Sequence, residues 1–254
     1  KGKRKRSVRT VEQIYTIPIN EAFEAGVADK KCGCPMCALY RRLEETELDT
    51  VLGGAMMEPS VRIRMNEEGF CKTHYDMLLQ MKNRLSMALT LESHLNELQE
   101  KLSPKGWNAL LSNPPSRVEK LENSCYVCRR VEYHFSRMNS ITVSLWQGTE
   151  EFAEKFRAQP YFCLPHYRLL VEYARKELSK KEAARFEKEI GAVVFAYLAE
   201  LSSDVSWFCK KFDYRYENEP WNNAKDAVER AVIFLRSDLH RSQKDKNRNL
   251  GGLS

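Results

Sequence analysis

Eight side chains in this 254-residue chain have the types and the spacing to hold metal ions. Cys34 and Cys37 form a Cys-x-x-Cys pair (CPMC), and Cys71 and His74 form a Cys-x-x-His pair (CKTH). Both patterns return, as Cys125 and Cys128 (CYVC) and as Cys163 and His166 (CLPH). A zinc ion takes four thiolate or imidazole donors at tetrahedral corners. Two donors separated by two residues reach one ion when the chain turns between them, and a second such pair from anywhere in the chain closes the site. The flanks repeat as well: GFCKTHY at 69–75 matches YFCLPHY at 161–167, aligning Phe70 with Phe162, Cys71 with Cys163, His74 with His166 and Tyr75 with Tyr167. The Cys-x-x-Cys pairs lie 91 residues apart and the Cys-x-x-His pairs 92, so the ligand set recurs almost in register, as a duplicated unit does.

Taking each copy as self-contained gives one Cys₃His set from Cys34, Cys37, Cys71 and His74, and a second from Cys125, Cys128, Cys163 and His166. A closed four-ligand set is the form of structural zinc, and two zinc ions are the expected cofactor. An iron–sulfur cluster is the alternative, since three cysteines and a histidine can hold one. Redox dithiols are a third reading of the same cysteines. Arg62, Arg64, Arg129 and Arg130 flank the pairs and read either as partners of the negative centres or as solvated side chains. Cys32 falls out of the set because its counterpart in the repeat is Asn123. Cys209, among Val205, Trp207, Phe208 and Phe212, reads as a buried core thiol. His94, His134 and His240 have no paired ligand nearby and read as ordinary histidines.

The elements that must position these ligands are mostly helices. A helix is expected from Cys37 to about Met57, ended by Pro59. SVRIRMN alternates Val61, Ile63 and Met65 with arginines and reads as a short extended segment. From His74 to Leu102, leucines and methionines recur at three- and four-residue steps, predicting one helix of about 45 Å, stopped by Pro104-Lys105-Gly106. SNPPS at 112–116 reads as a linker between the repeats. In the second copy Ser124 is a candidate cap for a helix that starts at CYVC and runs to Gly148. Pro165 suits the first turn of the helix that carries His166. Ser179 and Glu182 form a capping box for a further long helix, and a last one is expected over about 224–239. Each ligand pair falls near a helix start, where the partial positive charge favours thiolates. The fold expected is mostly α: a tandem pseudo-repeat of helical units, each pinned by a Cys₃His site, with a C-terminal helical extension. Its divisions are a disordered basic arm over 1–10, units over 11–115 and 116–240, and a disordered basic tail over 241–254.

Charge sits at the ends. Lys1, Lys3, Arg4, Lys5, Arg6 and Arg9 carry six positive charges before the first acid, Glu12. Residues 241–254 add four basic residues and one acid, which leaves the body, 11–240, with 31 basic against 34 acidic residues, a net of −3. Two filled sites, each −1, would bring it to about −5. A nucleic-acid-binding domain usually carries a basic face on its folded body. The expectation is therefore weak, salt-sensitive nucleic-acid contact through the basic tails, with a protein or small molecule as the partner of the body. With 43% hydrophobic and 30% charged residues the chain reads as globular rather than disordered. The longest apolar run, 191–199, is too short to span a bilayer, so no membrane is expected. No apolar segment follows the basic start as a secretory signal would require, and the cysteines pair with histidines; both point to the cytoplasm.

CPMC, NEEGFCKTHY, YFCLPHY and KKFDYRYENEPW together resemble an uncharacterised family of bacterial cytoplasmic helical proteins with duplicated Cys-x-x-Cys and Cys-x-x-His motifs, over roughly Ile14 to Leu239. The resemblance implies a helical protein with the paired Cys/His sites and no known activity. No Gly-rich phosphate loop, His-Glu-x-x-His or Gly-x-Ser-x-Gly is present, so the reading leans away from an enzyme. What results is a zinc-binding helical protein with two structural sites, acting as a binding or scaffold protein. The alternatives are a nucleic-acid binder using its arms and an iron–sulfur or thiol redox protein.

Overall fold

A computed structural model describes residues 2–103 and 113–240. Among the described residues there are eleven α-helices and no strand. In chain order these are α1 (Gly2–Ala28), α2 (Pro35–Leu52), α3 (Pro59–Glu68), α4 (Lys72–Gln80), α5 (Arg84–Leu102), α6 (Pro114–Glu122), α7 (Tyr126–Gly148), α8 (Glu150–Arg157), α9 (Leu164–Glu177), α10 (Lys180–Lys210) and α11 (Ala227–Arg236). The mostly α fold expected from periodicity is what the chain adopts. The 241–254 tail and the Pro104–Gly106 stop lie outside the described residues.

The chain divides into two compact units, and both are discontinuous. Residues 2–40 and 135–239 form one; residues 41–103, 113–134 and 240 belong to the other. This is a different partition from the sequential one at 115/116, and α2 and α7 each contribute residues to both units. The tandem arrangement expected from the sequence repeat is thus not how the chain is divided.

In the first unit α10 packs against α8, α9 and α11, and α1 packs against α8. Glu150 and Glu151 open α8 and Lys155 and Arg157 close it, complementing the helix dipole at both ends. Phe152, Ala153 and Phe156 form its buried stripe. Phe156 meets Phe162 at 4.8 Å and Phe186 at 5.1 Å, while Phe23 of α1 meets Phe152 at 4.9 Å. Each fully buried phenylalanine is worth about 1.5–3 kcal/mol against exposure. Trp146 completes the cluster, donating its indole N–H to Glu189 at 2.9 Å under the Arg185 guanidinium. Ser179 caps α10 by accepting from the Glu182 N–H at 3.3 Å, as its capping box predicts. After α10, Lys211 donates to the carbonyls of Tyr216, Glu217 and Glu219 at 2.6–2.8 Å, which ties down the loop of the KKFDYRYENEPW motif.

By length and hydropathy alone α10 could cross a membrane, although the apolar run at 191–199 by itself is too short. Its residues Ala183, Phe186, Ile190, Gly191, Val194 and Leu201 are buried within the unit, while Phe195 and Leu198 are exposed. Beyond Leu201, Phe208 packs on Phe212 and Trp221 and Trp207 on Tyr216. Cys209 lies on a different face and is exposed, not the core thiol its aromatic neighbours suggested.

Local structure departs from the sequence reading at several points. The first helix extends back to Gly2, where an unstructured arm was expected. SVRIRMN lies within helix α3: Pro59 starts it, and Met65 is buried while Ile63 is 55% exposed, so the apparent two-residue alternation was a helical stripe sampled over too few residues. The expected single helix after His74 is broken at Met81–Asn83. Asn83 caps α5 by accepting from the Ser86 N–H at 3.1 Å and donates to the Leu52 carbonyl at 2.9 Å. The leucines that carry the apolar periodicity past the break, Leu85, Leu89 and Leu95, are exposed, and α5 buries Met87, Thr90 and His94 instead. Part of the SNPPS segment becomes α6, capped by Asn113 with prolines in its first turn.

Candidate metal centres

The eight ligand residues converge in two groups, and the groups cross the copies. Cys34, Cys37, Cys163 and His166 form centre A; Cys71, His74, Cys125 and Cys128 form centre B. Within each group the donor atoms all lie within 4.8 Å of one another. The pairing of Cys34 and Cys37 with Cys71 and His74, and of Cys125 and Cys128 with Cys163 and His166, is therefore corrected: each Cys-x-x-Cys takes the Cys-x-x-His of the other copy. Along the chain centre B is nested inside centre A, and each centre falls wholly within one compact unit. Cys32 belongs to neither.

Every pair sits at a helix start. Cys34 precedes α2 and Cys37 lies in its first turn; Cys125 and Cys128 stand likewise at α7. Cys71 and Cys163 occupy the N-cap positions of α4 and α9, with extended backbone (ψ 163° and 154°), and His74 and His166 follow in the first turns. Eight donors thus gather where unpaired backbone N–H groups and the helix dipole favour negative sulfur.

In centre A the His166 Nδ1 lies 3.1 Å from Cys163 Sγ, 3.3 Å from Cys37 Sγ and 3.6 Å from Cys34 Sγ, and Cys37 Sγ is 3.7 Å from Cys163 Sγ. All four residues are buried. The Asp238 N–H donates to Cys37 Sγ at 3.4 Å, and the Phe135 ring stands edge-on to His166. Gly33, just before Cys34, has φ +77°, and a Cβ there would stand 3.2 Å from the Tyr161 hydroxyl.

In centre B the His74 Nδ1 lies 3.1, 3.3 and 3.4 Å from Cys71, Cys125 and Cys128 Sγ, and Cys71 Sγ is 3.8 Å from Cys128 Sγ. Gly69 makes the corner possible. Its φ of +56° and ψ of −156° lie in a region nearly exclusive to glycine, and a Cβ would come within 2.8 Å of Leu121 Cδ1. Its carbonyl accepts from the Tyr126 N–H at 3.0 Å, and Ser124 donates to the Glu68 carbonyl at 2.8 Å, so the two ligand corners dock by their own backbone. α7 begins at Tyr126, so Cys125 rather than Ser124 stands at its N-cap, and its Sγ accepts from the Cys128 N–H at 3.5 Å.

Centre B has a feature that sequence reading missed. His74 donates from Nε2 to Glu44 Oε1 at 3.0 Å, and His240 donates from Nδ1 to the same oxygen at 2.5 Å. Glu44 is buried. Its carboxylate accepts the hydrogen bond from Nε2, so Nδ1 is the nitrogen turned towards the sulfurs. His240 is thus not the isolated histidine it seemed to be; its ring stands edge-on to His74. No local sequence signal singles out Glu44 or His240, because a glutamate on a helix and a histidine near a chain end are ordinary. Arg129 and Arg130 pair with Glu68 (2.5 Å) and Glu47 (3.2 Å). His94 is a buried structural residue whose Nδ1 donates to the Asn66 carbonyl at 2.9 Å.

The electrostatics suit cation binding. Burial disfavours charge on Cys34, yet hydrogen bonds from Cys163, Cys37 and His166 hold its thiol well below the usual range. In centre B the hydrogen bond from Cys128 brings Cys125 down to about 3 against its burial. Cys37 is pushed up by its bonds to Cys163 and Cys34, and Cys128 by its bond to Cys125. Burial works against charge on His74, but its bonds to Cys125 and Glu44 raise it to about 10. Glu44 is brought down to about 2 because the bonds from His240 and His74 outweigh its burial. Cys34 and Cys125 thus favour the ligating thiolate form, and a cation entering centre B also displaces the proton that its partners hold on His74.

The described residues thus make a helical chain with two Cys/His clusters that could hold a metal ion, one of them buried throughout. The chain belongs to a family of unknown function, DUF6062, whose pattern matches residues 10–242. Neither a curated protein nor a solved structure matches it.

Proposed function

We propose that the protein binds two zinc ions, one in each centre, and that they serve as structural supports of a non-enzymatic binding or scaffold protein. The donor geometry carries this reading. A tetrahedral ion about 2.3 Å from sulfur and about 2.0–2.1 Å from nitrogen sets S···S edges of about 3.8 Å and S···N edges of about 3.5 Å. Cys37 and Cys163 Sγ stand 3.7 Å apart in centre A and Cys71 and Cys128 Sγ 3.8 Å apart in centre B, and the S···N distances run from 3.1 to 3.6 Å. An iron–sulfur cluster interposes several irons and sulfides, so its protein ligands stand further apart than donors that share one ion. Four protein donors per ion leave no open position for water or substrate, which favours a structural role over hydrolysis.

Thiolate ligands of this kind persist in a reducing compartment, which supports the cytoplasm as the place of action. The body, slightly acidic, would meet a protein or small molecule, and the basic arm would add only salt-sensitive nucleic-acid contact. Metal analysis of the purified chain tests the core of the reading. Two zinc ions per chain without visible absorption is the expected result. Iron with a broad band near roughly 400 nm, the range of thiolate-bound clusters, would overturn it.

A further inference from the structure

The two centres share a donor set and differ in access. In centre A the cysteines are 0–2% exposed and His166 is 4% exposed. In centre B, Cys125 and His74 are buried while Cys71 and Cys128 are half-buried. Those two accessible sulfurs are neighbours, 3.8 Å apart, contributed by different ligand pairs. The backbone N–H bonds to sulfur fall on buried atoms: Asp238 N–H on Cys37 in centre A, and Cys128 N–H on Cys125 in centre B. A hydrogen bond to sulfur withdraws electron density and lowers its nucleophilicity, and burial blocks approach. Three thiolates around one divalent ion leave the centre at −1, so its uncovered sulfurs stay electron-rich.

We propose that centre B is a modification site for peroxides, in which Cys71 and Cys128 are oxidised to a disulfide and the zinc ion is released while centre A keeps its own. The inference rests on the zinc reading above and adds a reactivity to one of the two ions. The accessible thiolate attacks one peroxide oxygen. The O–O bond breaks, hydroxide leaves and takes a proton from solvent to become water, and the sulfur becomes a sulfenic acid. The second thiolate then attacks that sulfur. The S–S bond forms, the S–O bond breaks, and a second hydroxide leaves and is protonated to water. Two thiolates lose two electrons and the peroxide gains two. The ion keeps only Cys125 and His74 and dissociates. The new disulfide keeps the two corners, which also meet through the Tyr126 N–H on the Gly69 carbonyl, joined after the ion has left.

The test uses the full-length zinc-loaded chain carrying Cys32→Ala and Cys209→Ala, which removes the two exposed thiols outside both centres. Zinc is counted before any treatment, then hydrogen peroxide is added and release is followed with a chromophoric chelator. One equivalent should leave at least about tenfold faster than the other, on the rule that thiol oxidation follows thiolate access. Peptide mapping at that point should find Cys71 linked to Cys128, with Cys34, Cys37 and Cys163 still alkylatable only after denaturation. Limited labelling with N-ethylmaleimide gives a second measurement and should mark Cys71 and Cys128 ahead of the centre A cysteines. Equal release rates, no release, or first modification in centre A would overturn the proposal while leaving two zinc ions in place. Fewer than two zinc ions at the outset would overturn the zinc reading itself.

Discussion

The crossed ligand sets make a sharp prediction for Cys71→Ser. Serine keeps the volume but offers a hydroxyl that stays protonated at neutral pH, so centre B drops from four donors to three. Structural zinc sites contribute about 10–16 kcal/mol of apparent binding free energy. If the four ligands share it evenly, one is worth about 2.5–4 kcal/mol, or a loss of about 10²–10³-fold in zinc affinity. Competition with a chelator of known affinity should show one zinc ion weakened by that factor and one unchanged. The decisive readout is which thiols become reactive. Cys125 and Cys128 share centre B with Cys71 and lie 3.3 and 3.4 Å from His74 Nδ1. They should alkylate in the variant while Cys34 and Cys37 remain protected. If Cys34 and Cys37 become reactive and Cys125 and Cys128 do not, the crossed pairing is wrong and each copy closes its own site.

Removing both ions with a strong chelator should abolish cooperative thermal unfolding followed by circular dichroism, because the metal supplies folding free energy; an apo protein that melts like the loaded one contradicts a structural role. Glu44→Gln should weaken zinc at centre B by about 10–100-fold, the usual cost of losing a ligand's outer partner, and leave centre A unaffected in the same competition assay. Gly69→Ala should destabilise the chain by about 1–3 kcal/mol, from its glycine-only backbone region and the Leu121 contact, seen as a lower denaturant midpoint. In gel-shift titrations, full-length protein should bind nucleic acid at low salt and release it at physiological salt, and deleting residues 1–9 should remove that binding.

Much of this protein was legible in its sequence because the signals are local. Helix class follows from apolar spacing, the Ser179 cap from its own tetrapeptide, and all eight donors from the chemistry of Cys-x-x-Cys and Cys-x-x-His. The misreadings have local causes too. Val61 to Met65 is too short a window to tell a stripe from an alternation, and Asn83 breaks a helix without disturbing its periodicity.

The partner of each half-site was a different kind of question. Four half-sites at helix starts are chemically alike, so the repeat is equally compatible with closure inside a copy or across copies. Chain length barely discriminates. The short closures, from Cys37 to Cys71 and from Cys128 to Cys163, span 34 and 35 residues, while the observed ones, from His74 to Cys125 and from Cys37 to Cys163, span 51 and 126. At (3/2)RT ln n the difference is only about 1.5 kcal/mol in all. Specific packing exceeds that easily: the Gly69 carbonyl on the Tyr126 N–H, Ser124 on the Glu68 carbonyl, and in the other unit the aromatic cluster around Phe162, next to Cys163. Local spacing was enough to tell which atoms can bind metal and which elements carry them. Which four share an ion, that Glu44 and His240 stand behind His74, and that centre A is buried throughout while two sulfurs of centre B are half-buried came only with the folded chain, because those depend on contacts between residues far apart in sequence.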